Sequence, residues 1–308
     1  MSIIKIEDIA FVRFRAPDLG RMQSFLEDFG LTFAGTADGR LFMRGGGPSP
    51  FVHVTEPGAP GFVGLGLRAA SVKDLEQLAA HEGLSIEPLA APGGGSVVRL
   101  TDPDGFQVEV IAGQAPAAPM EDGLSAPWNS AGERKRLRSP KRIAFGPAHV
   151  VRLGHCVVKV TDFRRSEQWY KERFGLITSD EVELSPGVPA GAFFRCDRGE
   201  VPTDHHTLFL INHPEGPDFH HAAFEVRDLD DLMGGANHLT ARGHHHEWGV
   251  GRHVLGSQVF DYWRDPWGHK IEHWTDGDLL TAADGSNKAS FEQFVGVQWG
   301  PSAPPTMA

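Results

Sequence analysis

The chain repeats itself, and the repeat limits the folds open to it. Residues 9–31 read IAFVRFRAPDLGRMQSFLEDFGL and residues 154–176 read GHCVVKVTDFRRSEQWYKERFGL. Each is a strand-like run, an Asp-containing turn, an amphipathic helix and a closing Phe-Gly-Leu, with Gly30 and Gly175 placed as helix C-caps. A second pair begins at Phe62 (FVGLGLRAASVKDLEQLAAHEGL) and Phe219 (FHHAAFEVRDLDDLMGGANHLTARG). Its members run on to matching DPxG turns and alternating strands, TDPDGFQVEVI and RDPWGHKIEHW. The pattern predicts an α+β protein of four βαβββ units, at about residues 5–54, 60–113, 150–212 and 218–276, paired into two domains. The domains are expected at 1–115 and 149–280, with an Ala-, Pro-, Gly- and charge-rich linker at 116–148 and a tail without clear periodicity at 281–308.

Laying one half on the other separates chemistry from scaffold. The sequence match puts Ala10 at the position of His155, Gly64 at that of His221 and Glu109 at that of Glu272. Of 16 histidines, 13 fall between residues 155 and 273, an asymmetry that a fold merely tolerating strand histidines would not produce. His155, His221 and Glu272 each lie in a strand-like run, and two neutral imidazoles with one carboxylate form the donor set that suits iron(II) while leaving coordination positions open. Manganese(II) accepts the same donors. The first half lacks both imidazoles and is expected to bind no metal.

Composition excludes other classes. A net charge of −11 offers no basic stripe for nucleic acid, and no apolar run is long enough to span a membrane. The N-terminus has no signal-peptide pattern, and two cysteines, Cys156 and Cys196, build no disulfide framework, so buried free thiols and a cytoplasmic location are expected.

The four units and the His155, His221, Glu272 pattern resemble the vicinal oxygen chelate superfamily, and within it the type I extradiol ring-cleavage dioxygenases, over about residues 5–276. The resemblance implies cleavage of a catechol-type substrate by dioxygen beside its two hydroxyls, in aromatic compound degradation, by a homo-oligomer with bound iron. It implies a catalytic acid-base histidine on a strand between the two histidine ligands, for which His206 fits and His205 is the alternative. It implies a further catalytic pair, His253 and Tyr262, ahead of Glu272, and substrate-binding roles for Val157 and Phe193. The segment GEVPTD before His205 departs from the family's shorter loop. Glyoxalases and fosfomycin-modifying transferases share the fold but lack the His206, His253, Tyr262 set, and a non-catalytic aromatic-binding protein on this scaffold predicts loss of the metal ligands.

Other residues are set aside. His220 and His273 adjoin ligands and are expected on the opposite strand face. His244, His245 and His246 are expected in a solvent-facing turn, and His269 in an exposed one. Trp248, Trp263, Trp267 and Trp274 are expected at a pocket entrance or a subunit contact. The Gly-rich runs at 45–48 and 92–96 lack the strand, helix and Lys of a phosphate loop.

Overall fold

The computed structural model describes residues 2–120 and 127–307, so residues 121–126 of the expected linker lie outside the described residues. The first unit runs β1 (Ile6–Ala16), α1 (Leu19–Phe29), β2 (Thr32–Ala37), β3 (Arg40–Arg44), β4 (His53–Pro57). The second runs β5 (Gly61–Ala69), α2 (Val72–Glu82), β6 (Glu87–Pro88), β7 (Ser96–Thr101), β8 (Gln107–Ala112). The third runs β9 (Val150–Val160), α3 (Phe163–Phe174), β10 (Ile177–Ser185), β11 (Val188–Arg195), β12 (Thr203–Asp204), β13 (Leu208–Asn212). The fourth runs β14 (Asp218–Val226), α4 (Leu229–Ala241), β15 (His245–His253), β16 (Val259–Arg264), β17 (Lys270–Thr275). All four expected units are present, with β12 added in the third by the GEVPTD segment.

The residues beyond 276 carry more structure than their lack of periodicity suggests. They form β18 (Leu279–Leu280), β19 (Asn287–Ser290), α5 (Phe291–Val295), β20 (Val297–Trp299) and a short 3-10 turn at Pro305–Met307. Strands β19 and β20 extend the two edges of the second sheet, and β18 pairs with β12.

Local chemistry accounts for the helices. Asp18, Ser71, Asp162 and Asp228 each cap a helix by accepting a backbone N–H with the side chain. Gly30 and Gly175 end α1 and α3 in the left-handed conformation. In both DPxG turns the aspartate holds the loop: Asp102 accepts from the amides of Asp104 and Phe106, and Asp265 from those of Trp267 and His269.

The first sheet has the order β2-β3-β4-β1-β5-β8-β7-β6, and the second β19-β10-β11-β13-β9-β14-β17-β16-β15-β20. Their central strands correspond, and the pairing corrects one sequence assignment. His155 pairs with Ala223 and Ala223 with Glu272, while Phe11 pairs with Gly66 and Gly66 with Glu109. Phe11, not Ala10, therefore occupies the place of His155. Helix α3 is one residue longer than α1, 12 against 11, so aligning the helix ends shifts the preceding strands by one position.

One apolar cluster joins the halves, with Phe14, Phe25 and Phe29 from the first and Phe163, Phe174 and Phe224 from the second. Polar contacts cross with it. The buried Tyr170 hydroxyl donates to Asp102 Oδ2 at 3.0 Å, and Asp104 accepts from the Thr161 amide at 2.9 Å and Ser166 Oγ at 3.0 Å. Burial raises the Asp102 carboxyl above its usual range. Tyr170→Phe should lower stability by about 1–3 kcal/mol, since a buried acceptor loses a donor. Chemical denaturation should show this as a lower midpoint at unchanged slope.

Candidate metal centre

His155 stands on β9, His221 on β14 and Glu272 on β17, three adjacent strands at the middle of the second sheet. Register brings them together, since β14 lies antiparallel to β9 and parallel to β17. Both histidines follow β-bulges, at Gly154 and at His220. A bulge re-aims the next side chain. The Gly154 bulge also needs the missing side chain, because a Cβ there would stand 2.5 Å from the Trp274 indole.

The three side chains converge on one point. His155 Nε2 and His221 Nε2 are 3.3 Å apart, and Glu272 Oε2 lies 3.4 Å from the first and 3.3 Å from the second. All three residues are buried, and neither Glu272 oxygen has a hydrogen bond of good geometry, the Tyr262 hydroxyl being the donor beside it. Such a carboxylate costs several kcal/mol unless a cation meets it. Donor atoms bound at about 2.1 Å and at right angles stand about 3 Å apart, close to the triangle found. The group fits a divalent metal ion, and it is the cluster of this kind among the described residues. Without a metal the environment opposes charge on every member. Burial lowers His155 to about 3 and His221 well below its ordinary value, and raises Glu272 well above the carboxylate range.

The first half meets its equivalent carboxylate in another way. Glu109 Oε1 accepts from Arg13 Nη1 at 3.0 Å and Arg99 Nε at 2.9 Å. By strand register, Arg99 holds the position of Tyr262, Phe11 that of His155 and Gly64 that of His221.

A cavity opens at the three converging groups. His206, His253 and Tyr262 line it, as do Val157 and Phe193. His253 Nε2 is 3.1 Å from the Tyr262 hydroxyl and 4.0 Å from Glu272 Oε1. Burial lowers His253 to about 3, while burial and the Glu272 charge raise Tyr262 well above an ordinary phenol. The His206 ring centre is 4.0 Å from that of His155, and burial lowers its pKa well below the ordinary value.

His205 does not line this cavity but stands behind His206. Its Nδ1 is 3.1 Å from His206 Nδ1 and its Nε2 is 2.7 Å from Asp180 Oδ2. With His205 Nε2–H donating to Asp180, its Nδ1 accepts from His206, and His206 keeps an unprotonated Nε2.

Several set-aside residues behave differently from expectation. His220 lines the cavity beside His221, because the bulge breaks strand alternation. Its Nδ1 is 2.6 Å from His221 Nδ1 and its Nε2 is 3.3 Å from the Met307 carbonyl oxygen. His221 Nδ1–H donating to His220 leaves His221 Nε2 as the free lone pair facing the centre. His269 is half-buried, its Nδ1 2.7 Å from Asp265 Oδ2. His245 and His246 begin β15 and do not form a turn, and His244 is 2.8 Å from Asp28 Oδ2. His273 does face away, donating to the Phe29 carbonyl at 2.7 Å. Of the four tryptophans, Trp248 lines the cavity while Trp263 and Trp274 are core residues. Sequence reasoning missed the contribution of Phe294, Val295, Ala303 and Met307, which close the cavity from the last 30 residues. No sequence signal marked them.

Residues 152–273 match the model of the Glyoxalase/Bleomycin resistance protein/Dioxygenase superfamily. The matched stretch contains His155, His221 and Glu272. Among curated proteins of similar sequence, "Metapyrocatechase 2" of Cupriavidus necator is 27% identical over 97% of this chain and 90% of its own length. An "Iron-dependent extradiol dioxygenase" of Rhodococcus jostii (strain RHA1) is 24% identical over 89% and 90%. Among solved structures, homoprotocatechuate 2,3-dioxygenase from Brevibacterium fuscum, complexed with 3,4-dihydroxyphenylacetate, superposes with a TM-score of 0.80 at 20% identity, over 99% of this chain and 92% of that one. An Mn(II)-bound glyoxalase from Novosphingobium aromaticivorans gives 0.78 at 22% identity, over 99% and 94%. These structural likenesses establish the shared fold.

Titrating metal-free protein with Fe(II) or Mn(II) should raise its melting temperature. An ion at 100 times its Kd adds about 2.7 kcal/mol. Glu272→Gln should abolish that rise, which calorimetry with and without metal would measure.

Proposed function

We propose that this protein is an extradiol ring-cleavage dioxygenase that opens catechol-type diols with dioxygen, using non-heme iron(II) held by His155, His221 and Glu272. The reading is carried by the buried Glu272 carboxylate facing two imidazole nitrogens at the end of a cavity lined by His206, His253 and Tyr262. The names of the Cupriavidus and Rhodococcus relatives support the same activity. His155, His221 and Glu272 would hold the iron(II), whose open positions would let it supply the electron transfer between a catechol and dioxygen.

The chain's own groups manage protons. His253 is neutral and Tyr262 protonated at neutral pH, by the directions of their shifts. The hydrogen-bonded pair therefore offers a neutral imidazole as acceptor and a phenol as donor, which can hydrogen-bond and orient a catechol hydroxyl that reaches them. His206 is a separate proton carrier, lying against His155 and held through Nδ1 by His205, and it serves the oxygen side of the reaction. The ring opens beside the hydroxyls to a semialdehyde or keto acid that retains both atoms of dioxygen.

Manganese(II) would meet the same donors, and a manganese-bound neighbour exists among the similar structures. That neighbour, a glyoxalase, favours a second reading as a metal-dependent isomerase, in which turnover consumes no oxygen. The two buried, unpaired cysteines support a reducing, cytoplasmic setting.

The deciding experiment loads the protein with iron(II) anaerobically, then adds catechols in air-saturated buffer. The expected result is a yellow ring-opened product with matching oxygen uptake. His206→Phe should keep its iron and lose about 10²- to 10⁴-fold in turnover, whereas His155→Ala should fail to retain the metal. Stoichiometric iron with no oxygen uptake on any catechol would overturn the dioxygenase reading in favour of the isomerase.

A further inference from the structure

Beyond the converging polar groups, the cavity wall is uncharged. Among the described residues no Lys, Arg or Asp lines it, and Glu272 lies fully buried outside the lining. One flank is aromatic: Phe193 and Phe209 stack at 4.0 Å, and Phe294 meets the Phe209 ring edge-on at 5.1 Å. Val157, Ile211 and Leu255 continue this surface.

The opposite flank is closed by the last residues of the chain. Met307 and Ala303 pack with Trp248 and Tyr262. The segment is tied down from inside the site: Lys270 Nζ donates to the Thr306 carbonyl at 2.7 Å, Trp248 Nε1 to that of Pro301 at 2.8 Å, and His220 Nε2 lies 3.3 Å from that of Met307. Lys270 itself stands behind His220, its Nζ 3.3 Å from His220 Nε2, and does not reach the cavity lining.

A ring substituent on a diol seated at the metal centre thus meets apolar walls and finds no cationic partner. Resting on the dioxygenase reading above, we propose that the substrates are catechols with uncharged, apolar ring substituents, of alkyl or aryl type, and that carboxylate-bearing catechols are rejected. A carboxylate in this compartment would lose its hydration with no counter-charge to replace it. An alkyl group there leaves water and gains about four-fold in affinity per buried methylene. The Brevibacterium enzyme of the same fold is a useful contrast, since its complex holds 3,4-dihydroxyphenylacetate, a catechol that carries a carboxylate.

The test compares 4-ethylcatechol with 3,4-dihydroxyphenylacetate, which differ chiefly in charge, on the iron(II)-loaded protein. Two readouts are taken: kcat/KM from oxygen uptake, and anaerobic binding from quenching of tryptophan emission. The expected result is a preference of at least about 100-fold for 4-ethylcatechol in kcat/KM, with the same order in binding. Val295→Lys, on the partly exposed tail wall, should narrow that preference by about ten-fold or more while iron content stays unchanged. Comparable cleavage and binding of the two diols would overturn this inference and leave the dioxygenase reading standing. Oxygen uptake with neither diol, nor with unsubstituted catechol, would overturn both.

Discussion

Everything at the centre of the second domain turns on one carboxylate, Glu272, shut away from water with no hydrogen bond of good geometry to either oxygen. Proteins rarely leave such a group uncompensated, since the desolvation penalty can exceed what a small apolar core supplies locally. Here the nearest groups are two imidazole nitrogens that burial keeps neutral, so they present lone pairs instead of protons. Ionising that carboxyl would set negative charge against two lone pairs across a little over 3 Å, which burial opposes and a cation would reverse. The surrounding groups reinforce that condition. His220 fixes the tautomer of one imidazole, and Tyr262 stands beside the carboxylate without taking up its charge.

The two halves show one scaffold solving the same electrostatic problem twice. In the first, Arg13 and Arg99 neutralise Glu109, and Phe11 lies over Gly66, where a Cβ would stand 2.2 Å from the ring. In the second, the positions of those arginines carry Val157 and Tyr262, which are uncharged, and the space is left to a cavity. The backbone differs little between them, down to matching bulges in the central strand pairs. Side-chain identity at a few register positions decides which half holds a salt bridge and which a cavity with two imidazoles facing a carboxylate.

How far this was legible depended on whether the signal was periodic. The four units showed because hydrophobic alternation, aspartate caps and C-terminal glycines recur at fixed places, each a local physical demand. His155 and His221 stood out because the repeat supplied a copy without them, and Glu272 because it completes their donor set at a position that the copy shares as Glu109. Reading Ala10 as the partner of His155 failed because a helix longer by one residue hides a register change that only strand pairing reveals. His220 was hidden by a bulge, which cancels the alternation rule at the one place where it mattered. Its doubled histidine within an apolar strand was the available hint. The tail residues were illegible for a different reason. Phe294, Ala303 and Met307 act singly, in short segments whose positions are set by contacts with distant strands.

The salt bridges of Glu109 also bear on how the chain reaches its fold. The half that leaves the ribosome first carries its own counter-charges, so its central sheet needs nothing from the cell's metal supply to form. The later half then assembles against an existing surface that contributes Phe14, Phe25 and Phe29 to the shared core. A metal ion entering between His155, His221 and Glu272 would then meet a frame whose first half is already complete.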